Sequence, residues 1–382
     1  MARGARYFVF VGRSGCDKPE ARGLVERLHG TGATVTVVRG DVSNAADVDT
    51  AVETCVATGR SIGGVVQAAM GLHEALFCTM PNSAWQTGIR PKWQGSWNLH
   101  KSLSLEGRDT QLDFFLLTSS VSGSVGTATE SNYCAANAFL DAFAYWRRSQ
   151  GKPAVSVGFG MISEVGYLHE NLEIEALLLR KGIQALNEDE FLQVVDMALT
   201  PATNERPAYG PATSHILTGL EPFGLRELIK RGFDVENGTT QDPRCAFLAA
   251  ALAADQRENG KSTTASNAVA AASWYKVVPT GATGALAAEA DAPTLFEAVL
   301  RLVRKRFSSL ILMPLDQIDD RRPLTQFGID SMIAAEFRTW FWSAFKVDIP
   351  FLDIMSPKKA LDTLSAYVEE KLIAQPKVVP SE

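Results

Sequence analysis

The sequence has no uncharged apolar run approaching the ~18 residues that cross a bilayer, so no stretch reads as a membrane-spanning helix. Cysteine is sparse: Cys16, Cys55, Cys78, Cys134 and Cys245 are scattered, odd in number and without the paired spacing of a metal site or a disulfide framework. They read as reduced, buried thiols. Positive charge is not in excess either. The 37 Lys and Arg against 43 Asp and Glu leave a net charge of −6, which argues against nucleic acid or an anionic membrane surface as the main partner. Met1 to Arg6 is too short, and too soon followed by a strand, to be a signal peptide. These absences predict a soluble protein in a reducing, cytoplasmic setting. What is present is 382 residues with 46% hydrophobic and 21% charged content, enough for two or three ordinary globular domains with sizeable cores.

Apolar runs and turn residues alternate along the first part of the chain. A strand at residues 7–11 ends at Gly12-Arg13-Ser14-Gly15, and a helix over 19–29 follows with Leu24, Val25 and Leu28 on one face. A strand at 34–38 runs into Gly40-Asp41-Val42, a helix covers about 45–57, and the next strand is 64–69. A longer helix over about 91–105 leads into Phe114-Phe115-Leu116-Leu117-Thr118-Ser119-Ser120. That run has the unbroken apolar character of a strand buried on both faces. The helix carrying Tyr133 and a strand at 153–159 come next. An apolar helical segment over 162–200 reads as a flap over the strand ends, and 214–219 forms a last short strand. This alternation predicts an α/β fold with a doubly wound parallel sheet. Such sheets hold their ligands at the carboxyl ends of the strands, which is where Ser120 falls. Tyr133 and Asn137 are one helical turn apart and share a face. A hydroxyl, a phenol and an amide converging at a strand end make a reasonable proton-delivery site.

The composition changes over residues 253–292. Residues 256–272 are mostly Asn, Ser, Thr, Gly and Ala, and 281–292 hold few large apolar side chains. Such a stretch buries too little surface to offset its ordering entropy, so it is expected to be a flexible linker with Trp274-Tyr275 as a docked interruption. Beyond it, Thr294-x-x-Glu297 fits a capping box and Phe296, Val299, Leu300, Val303 and Phe307 keep helical spacing. A second amphipathic helix starts near Ser331, and a last one follows Ser356-Pro357 with Leu361, Leu364, Val368 and Leu372 inward. A small four-helix bundle over residues 293–376 is expected.

Phe327-Gly328-Ile329-Asp330-Ser331-Met332 is the sharpest motif. Gly328 allows a tight turn, Asp330 suits a helix N-terminus, and Ser331 projects from the first helical turn. A hydroxyl there accepts a phosphodiester whose charge the backbone amides stabilise. Taken alone, the same residues are equally those of an ordinary helix cap. The whole segment, from Leu324-x-x-Phe-Gly-Ile-Asp-Ser through Pro350 to Ile354-x-Ser-Pro, resembles the acyl carrier protein family. The resemblance implies that Ser331 carries a covalent 4′-phosphopantetheine arm, attached by a phosphopantetheinyl transferase. Met332 stands where Leu is commoner, a nearly isosteric change.

Reducing a ketone with a nicotinamide requires a proton donor, a polariser for the carbonyl and a cation that acidifies the donor, since a free phenol has a pKa near ~10. Tyr133, Ser120 and Lys92 can fill these roles. Spacing alone also allows a packed core tyrosine, a turn-forming serine and a surface lysine. The pattern Lys92…Ser120…Tyr133-x-x-x-Asn137, closed by Asn137-Ala138-Phe139-Leu140-Asp141-Ala142, resembles the ketoreductase domain of polyketide synthases, within the short-chain dehydrogenase/reductase superfamily. The resemblance implies a Rossmann-like domain in which Tyr133 donates the proton, Ser120 bonds the carbonyl, and Lys92 and Asn137 complete the relay. It also implies NADPH as cofactor. Arg13, with its neighbour Ser14, would meet the 2′-phosphate, Asp41 and Val42 would lie near the adenine, and Gln67 and Ala68 would run along the cofactor. Gly158, Gly166-Tyr167 and Gly182 resemble fungal highly reducing synthases more than bacterial ones.

One departure from the family stands out. The opening strand and Gly-rich turn that cradle the pyrophosphate are not in this sequence. Loss of that central strand is expected to expose two apolar sheet edges and delete the phosphate site. Met1 is therefore expected to be an internal methionine of a longer synthase. The domains expected are 1–252, an N-terminally truncated ketoreductase; 253–292, a linker; and 293–376, the carrier. Together they imply NADPH-dependent reduction of a carrier-bound β-ketoacyl thioester, with upstream synthase domains and acyl thioester intermediates as partners. A carrier and docking module with a non-catalytic reductase scaffold is the alternative, and a free-standing reductase of a small diffusible ketone is a third.

Overall fold

The structure, a computed structural model, describes residues 4–127, 129–162, 183, 185–200, 213–220, 225–226, 243–258, 274 and 282–374. It divides into two compact units, Met1–Gly160 with Leu186–Thr218 and Met161–Ala185 with Gly219–Glu382.

In the first unit strands and helices alternate: β1 (Tyr7–Gly12), α1 (Pro19–Gly30), β2 (Thr34–Arg39), α2 (Ala45–Val56), β3 (Gly64–Gln67), α3 (Asn82–Ser104), β4 (Phe114–Ser120), α4 (Ser122–Val125), α5 (Ser131–Ser149), β5 (Val155–Phe159), α6 (Glu188–Leu199) and β6 (His215–Leu217). Every pairing between these strands is parallel, as the alternation predicts. Successive residues of β4 point to opposite faces. Phe115 and Leu117 enter a core with Val48, Val52, Leu103, Leu140 and Phe143. Leu116 packs with Val155, Val157 and Phe159 against Phe191, Val194 and Val195 of α6. The sheet is thus covered on both sides, and the unbroken apolar run of β4 follows from that.

The sheet is not continuous. β1 and β2 form one pair, and β3-β4-β5-β6 form a separate four-stranded sheet in that order. In a doubly wound fold the first strand lies between the second and the fourth. With β1 as the second strand and β3 as the fourth, the break falls where the strand absent from this sequence would pair. Phe10 and Val11 on one side and Val66 on the other are exposed, Val66 to 55%.

Two helices differ from expectation. α3 starts at Asn82, so Pro91 lies inside it and not at its start. Proline's own fixed φ suits a helix interior, and the backbone of Gly71 lies close against the carbonyl it leaves unpaired, as described below. Of the flap expected over 162–200, a helix is found at Glu188–Leu199, opened by a reciprocal Asn187–Glu190 capping box. Residues 163–182, with Gly166, Tyr167 and Gly182, lie outside the described residues.

The second unit contains α7 (Ala246–Glu258), the short α8 (Thr283–Leu286), α9 (Leu295–Ile311), α10 (Ser331–Phe345), the short α11 (Phe351–Ile354) and α12 (Leu361–Ala374). Helices α9 to α12 enclose a core of Val299, Val303, Phe307, Phe337, Phe341, Phe345, Leu361, Leu364, Val368 and Leu372. Its centre is aromatic, with the Phe337 and Phe341 rings 4.6 Å apart. The capping box expected at Thr294 is half formed. The Thr294 hydroxyl accepts from Glu297 N at 3.1 Å, but the Glu297 carboxylate turns to Arg301 one helical turn on, at 3.2 Å. Of the stretch expected to be a linker, residues 259–273 and 275–281 lie outside the described residues. Trp274 is buried and donates from Nε1 to Ala292 O at 2.7 Å, and Ala282, Leu286 and Ala292 join the bundle core. Small side chains let this backbone pack close to the aromatic residues.

Candidate active site and carrier serine

The site in the first unit is assembled at the carboxyl end of β4 from α3 and α5. Lys92, on α3, is 2% exposed. Its Nζ donates to Thr118 O in β4 at 2.7 Å and lies 5.9 Å from the centroid of the Tyr133 ring. The amine and the phenol ring are therefore on the same side of the sheet. Burial, opposed by the Asp141 carboxylate, pulls Lys92 down to about 8. Pro91 removes one helical hydrogen bond and frees Thr87 O, four residues earlier. Gly71 fills that space, so close that a Cβ there would stand 2.1 Å from Thr87 O. The carbonyl of Pro91 itself accepts from Gln67 Nε2 at 2.9 Å, while Gln67 Oε1 accepts from Ala69 N at 3.1 Å. Gln67 is thus pinned between the end of β3 and the turn of α3 that carries Lys92.

Tyr133, in the first turn of α5, has its acidity set by three kinds of neighbour. Burial raises its pKa most, contact with Ser120 lowers it, the Glu130 charge raises it, and Asn137 lowers it. The net result is a phenol less acidic than a free tyrosine. The sequence predicts the opposite, a phenol sharpened by lysine. The difference arises because burial of the ring outweighs the polar contacts. Asn137 is fully buried. Its Nδ2 donates to Tyr133 O at 2.9 Å, and its Oδ1 has no hydrogen-bond partner in the structure. α5 approaches β4 this closely because of Gly123, where a Cβ would meet Asn137 Cβ at 2.9 Å.

The expected cofactor residues follow the carboxyl ends of β1, β2 and β3. Asp41 accepts from Ser43 N at 2.8 Å and from Ser43 Oγ at 2.7 Å. Burial works to raise its pKa, but those bonds and the charges of Arg13 and Arg90 hold it below the usual carboxylate range. Val42 O accepts from Asn98 Nδ2 at 3.0 Å. Gly95 of α3 fits between Val42 and Gln67, each of which a Cβ would meet at 2.8 Å. Asp41, Val42, Gln67 and α3 are therefore contiguous. Arg13 and Ser14 are exposed in the turn after β1, and Ser14 O accepts from Arg39 Nη2 at 3.1 Å. The residue types suit the adenosine end and the carbonyl-facing end of a nicotinamide dinucleotide, and the unpaired Asn137 Oδ1 leaves an acceptor for a group not of this chain. The pyrophosphate turn between these ends is not in the sequence.

Two residues at this site were given no role in the sequence reading. Asn132 is fully buried, donates from Nδ2 to His73 O at 3.1 Å and Ala84 O at 3.0 Å, and accepts Tyr133 N at 2.8 Å. It ties the loop before α3 and the start of α3 to the residue before the phenol. Asp141 lies one turn beyond Asn137 on α5. Its place in the closing motif, one helical turn from Asn137, is the signal the sequence held.

In the second unit Asp330 caps α10, its Oδ1 accepting Ile333 N at 2.7 Å. Gly328 has φ +76°, the left-handed turn glycine adopts without strain. Ser331 is the first residue of α10 and is exposed. The backbone amides of this first turn face a group on its hydroxyl, which fits a phosphodiester.

Comparison with known proteins agrees with this arrangement. Residues 1–164 match the KR domain family and residues 301–368 the phosphopantetheine attachment site family. The chain is 66% identical over 381 residues to the highly reducing polyketide synthase fogA of Aspergillus ruber. It is 61% identical over 381 residues to the highly reducing polyketide synthase virA of Hypocrea virens. With srdA of Neurospora crassa, another highly reducing polyketide synthase, identity is 53% over 374 residues. Each alignment covers 98% of this chain, whereas the chain spans only 16%, 16% and 15% of those relatives' lengths. Two family matches in sequence, collinear with these relatives over nearly the whole chain, set a KR domain beside a phosphopantetheine attachment site, and in both the chain is similar to a part of the highly reducing polyketide synthases.

Proposed function

We propose that the chain reduces a β-ketoacyl thioester held on its own carrier to the β-hydroxyacyl thioester, as part of a longer synthase. The observation that carries this reading is the pairing of the buried Lys92 amine with the Tyr133 ring at a strand end, in a chain that also presents Ser331 at a helix N-terminus. NADPH, when bound, supplies the hydride to the β-carbon. Ser120 orients the substrate carbonyl by donating a hydrogen bond to its oxygen. Tyr133 gives its phenolic proton to that oxygen as negative charge develops there, and a phenol of raised pKa is fully protonated at neutral pH, ready to give it. Lys92 offsets the phenolate left behind, and the free Oδ1 of Asn137 supports the return of a proton. Arg13 and Ser14 would hold the 2′-phosphate, Asp41 and Val42 the adenine end, and Gln67 and Ala68 would line the cofactor's path. The domain limits proposed are 1–252 for the reductase, 253–292 for the connection, and 293–376 for the carrier. Tethering on the arm raises the effective concentration of the ketone, so a weak substrate site suffices.

Among the described residues no helix is long and apolar enough to cross a membrane. A cytoplasmic setting, upstream synthase domains as partners and a phosphopantetheinyl transferase that loads Ser331 complete the reading. The Lys92–Tyr133 pairing speaks against a purely scaffolding reductase half. Intact mass after incubation with coenzyme A and a phosphopantetheinyl transferase tests the carrier. We expect a gain of one phosphopantetheine that disappears in Ser331→Ala; no gain in the unaltered chain would remove the carrier role. In the full-length synthase, Tyr133→Phe is expected to lower reduction of a β-ketoacyl thioester by at least about 100-fold, read as accumulation of the unreduced thioester.

A further inference from the structure

Lys92 and Tyr133 stand on different helices, so their separation depends on whatever holds α3 against α5 beside them. Ala84, Gly88 and Lys92 recur at every fourth residue of α3 and are all buried, so one face of the helix carries the three. The side chain that meets this face from α5 is Asn132, the residue before the phenol. Asn132 is fully buried and its Nδ2 donates to Ala84 O at 3.0 Å. A Cβ on Gly88 would stand 2.7 Å from that same nitrogen. Lys92 follows Gly88 by one more turn.

The Asn132 amide is fixed from every side. Its Nδ2 also donates to His73 O at 3.1 Å, and its Oδ1 accepts Tyr133 N at 2.8 Å. An amide nitrogen has two hydrogens, and two carbonyls take them. Turned over, the amide would set its oxygen against both carbonyls and its nitrogen against an N–H, so one orientation alone serves. His73 belongs to the loop after β3, and that loop is fastened a second time by Ala75 N donating to Thr129 O at 2.9 Å. Thr129 has φ +65°, a left-handed conformation that a β-branched residue keeps only where its surroundings impose it. Loop, α3 and the start of α5 therefore meet at one side chain. Lys92 Nζ lies 5.9 Å from the Tyr133 ring centroid, and that separation follows the spacing of the two helices.

We propose that Asn132 is a positioning residue that sets the separation of the Lys92 amine from the Tyr133 phenol, as a spacer between α3 and α5 for which Gly88 leaves room. This deepens the ketoreductase reading and rests on it for the effect on the reaction only. The spacing itself is a property of the folded chain.

NMR of the 382-residue chain reads the spacing. With 13C at lysine Cε and in the tyrosine ring, the two signals are assigned by their loss in Lys92→Met and Tyr133→Phe. We expect a nuclear Overhauser cross-peak between the Lys92 Cε protons and the Tyr133 ring. It should be lost in Asn132→Ala, and also in Asn132→Asp, which keeps the acceptor for Tyr133 N but sets a carboxylate against two carbonyls. Gly88→Ala, which keeps Asn132 and pushes it aside, should weaken it. No cross-peak in the unaltered chain, or one of unchanged strength in both Asn132→Ala and Gly88→Ala, would overturn the proposal; if Asn132→Ala does not fold, Gly88→Ala alone decides.

Kinetics of the full-length synthase on a diffusible β-ketoacyl thioester then separate positioning from bare stability. Asn132→Ala is expected to lower kcat per folded molecule by about 10- to 100-fold with KM little changed, as a small misplacement of reacting groups does. Gly88→Ala should lower kcat when Asn132 is present and cost nothing further in Asn132→Ala, because the side chain it displaces is gone. An equal cost of Gly88→Ala in both backgrounds would overturn the part given to Asn132. A lost cross-peak with kcat unmoved would leave Asn132 as the spacer and count instead against Lys92 and Tyr133 as the reacting pair.

Discussion

A lysine amine buried beside a phenol is a standing expense in stability whose size depends on pH. Lys92 titrates near 8 in the folded chain against 10.5 for a free lysine. Below pH 8 the amine is charged in both folded and unfolded states, and the folded state bears the whole desolvation cost. Between pH 8 and 10.5 the unfolded chain binds the extra proton, so stability associated with this residue rises with pH there. The difference corresponds to about 3 kcal/mol. Lys92→Met is therefore expected to be more stable than the unaltered chain at pH 7, with the gap closing toward pH 10. Urea denaturation at the two pH values measures it; an equal gap at both would show that Lys92 does not change charge on burial. His100 behaves in the same sense at acid pH. Burial first, then the charge of Arg147, push it down to about 4, so its contribution to stability is lost as pH falls from 6.5 toward 4.

At the scale of elements, the question is what holds α3 against α5, since each carries half of the site. The far ends are clasped by Arg147, fully buried, which donates from Nε to Pro153 O at 3.3 Å, bonds His100 Nδ1 from Nη1 at 2.6 Å and lies over the Phe115 ring at 4.3 Å. The near ends are held by Asn132 and made possible by Gly88. A Cβ at Gly88 would stand 2.7 Å from Asn132 Nδ2 and 2.8 Å from its Cγ. Alanine in a helix interior gains about 1 kcal/mol over glycine, but forcing atoms into a packed core costs roughly 1–3 kcal/mol. Displacing Asn132 would further strain its two bonds to backbone carbonyls. Gly88→Ala is therefore expected to destabilise the unit by about 1–2 kcal/mol, read as a lower urea midpoint at unchanged slope. A higher midpoint would show that Asn132 moves aside freely. Lys92, Ser120, Tyr133 and Asn137 could be singled out because the motifs that hold them resemble a known family, while their spacing alone left bland alternatives open. Asn132 and Gly88 could not be, because their contact joins residues far apart in sequence and no local pattern marks it.

For the whole molecule, the split sheet and the carrier core make separate predictions. The pyrophosphate turn is not in this sequence and β1 does not pair with β3. This chain by itself is expected to bind NADPH weakly, with no saturation in the micromolar range by nucleotide fluorescence. Tight binding by these 382 residues would show that Asp41, Gln67 and Arg13 suffice without the turn. In the carrier, Phe337 is fully buried between Phe307 and Phe341. Phe337→Ala is expected to destabilise that unit by about 3–5 kcal/mol, and calorimetry should show one transition lowered.

The amino-acid sequence by itself determined the alternation of strands and helices, the buried character of β4, the capped helix that presents Ser331, and the shared helical face of Tyr133 and Asn137. All of these are written in periods of two or four residues and in turn chemistry, which depend on neighbours along the chain. Only the tertiary structure decided where the parallel sheet breaks, how α3 runs through Pro91, that Trp274 packs on the carrier bundle, and that burial outweighs the polar contacts on Tyr133. Those outcomes turn on strand order, close approach and the exclusion of water, and each is a property of residues brought together from distant parts of the chain.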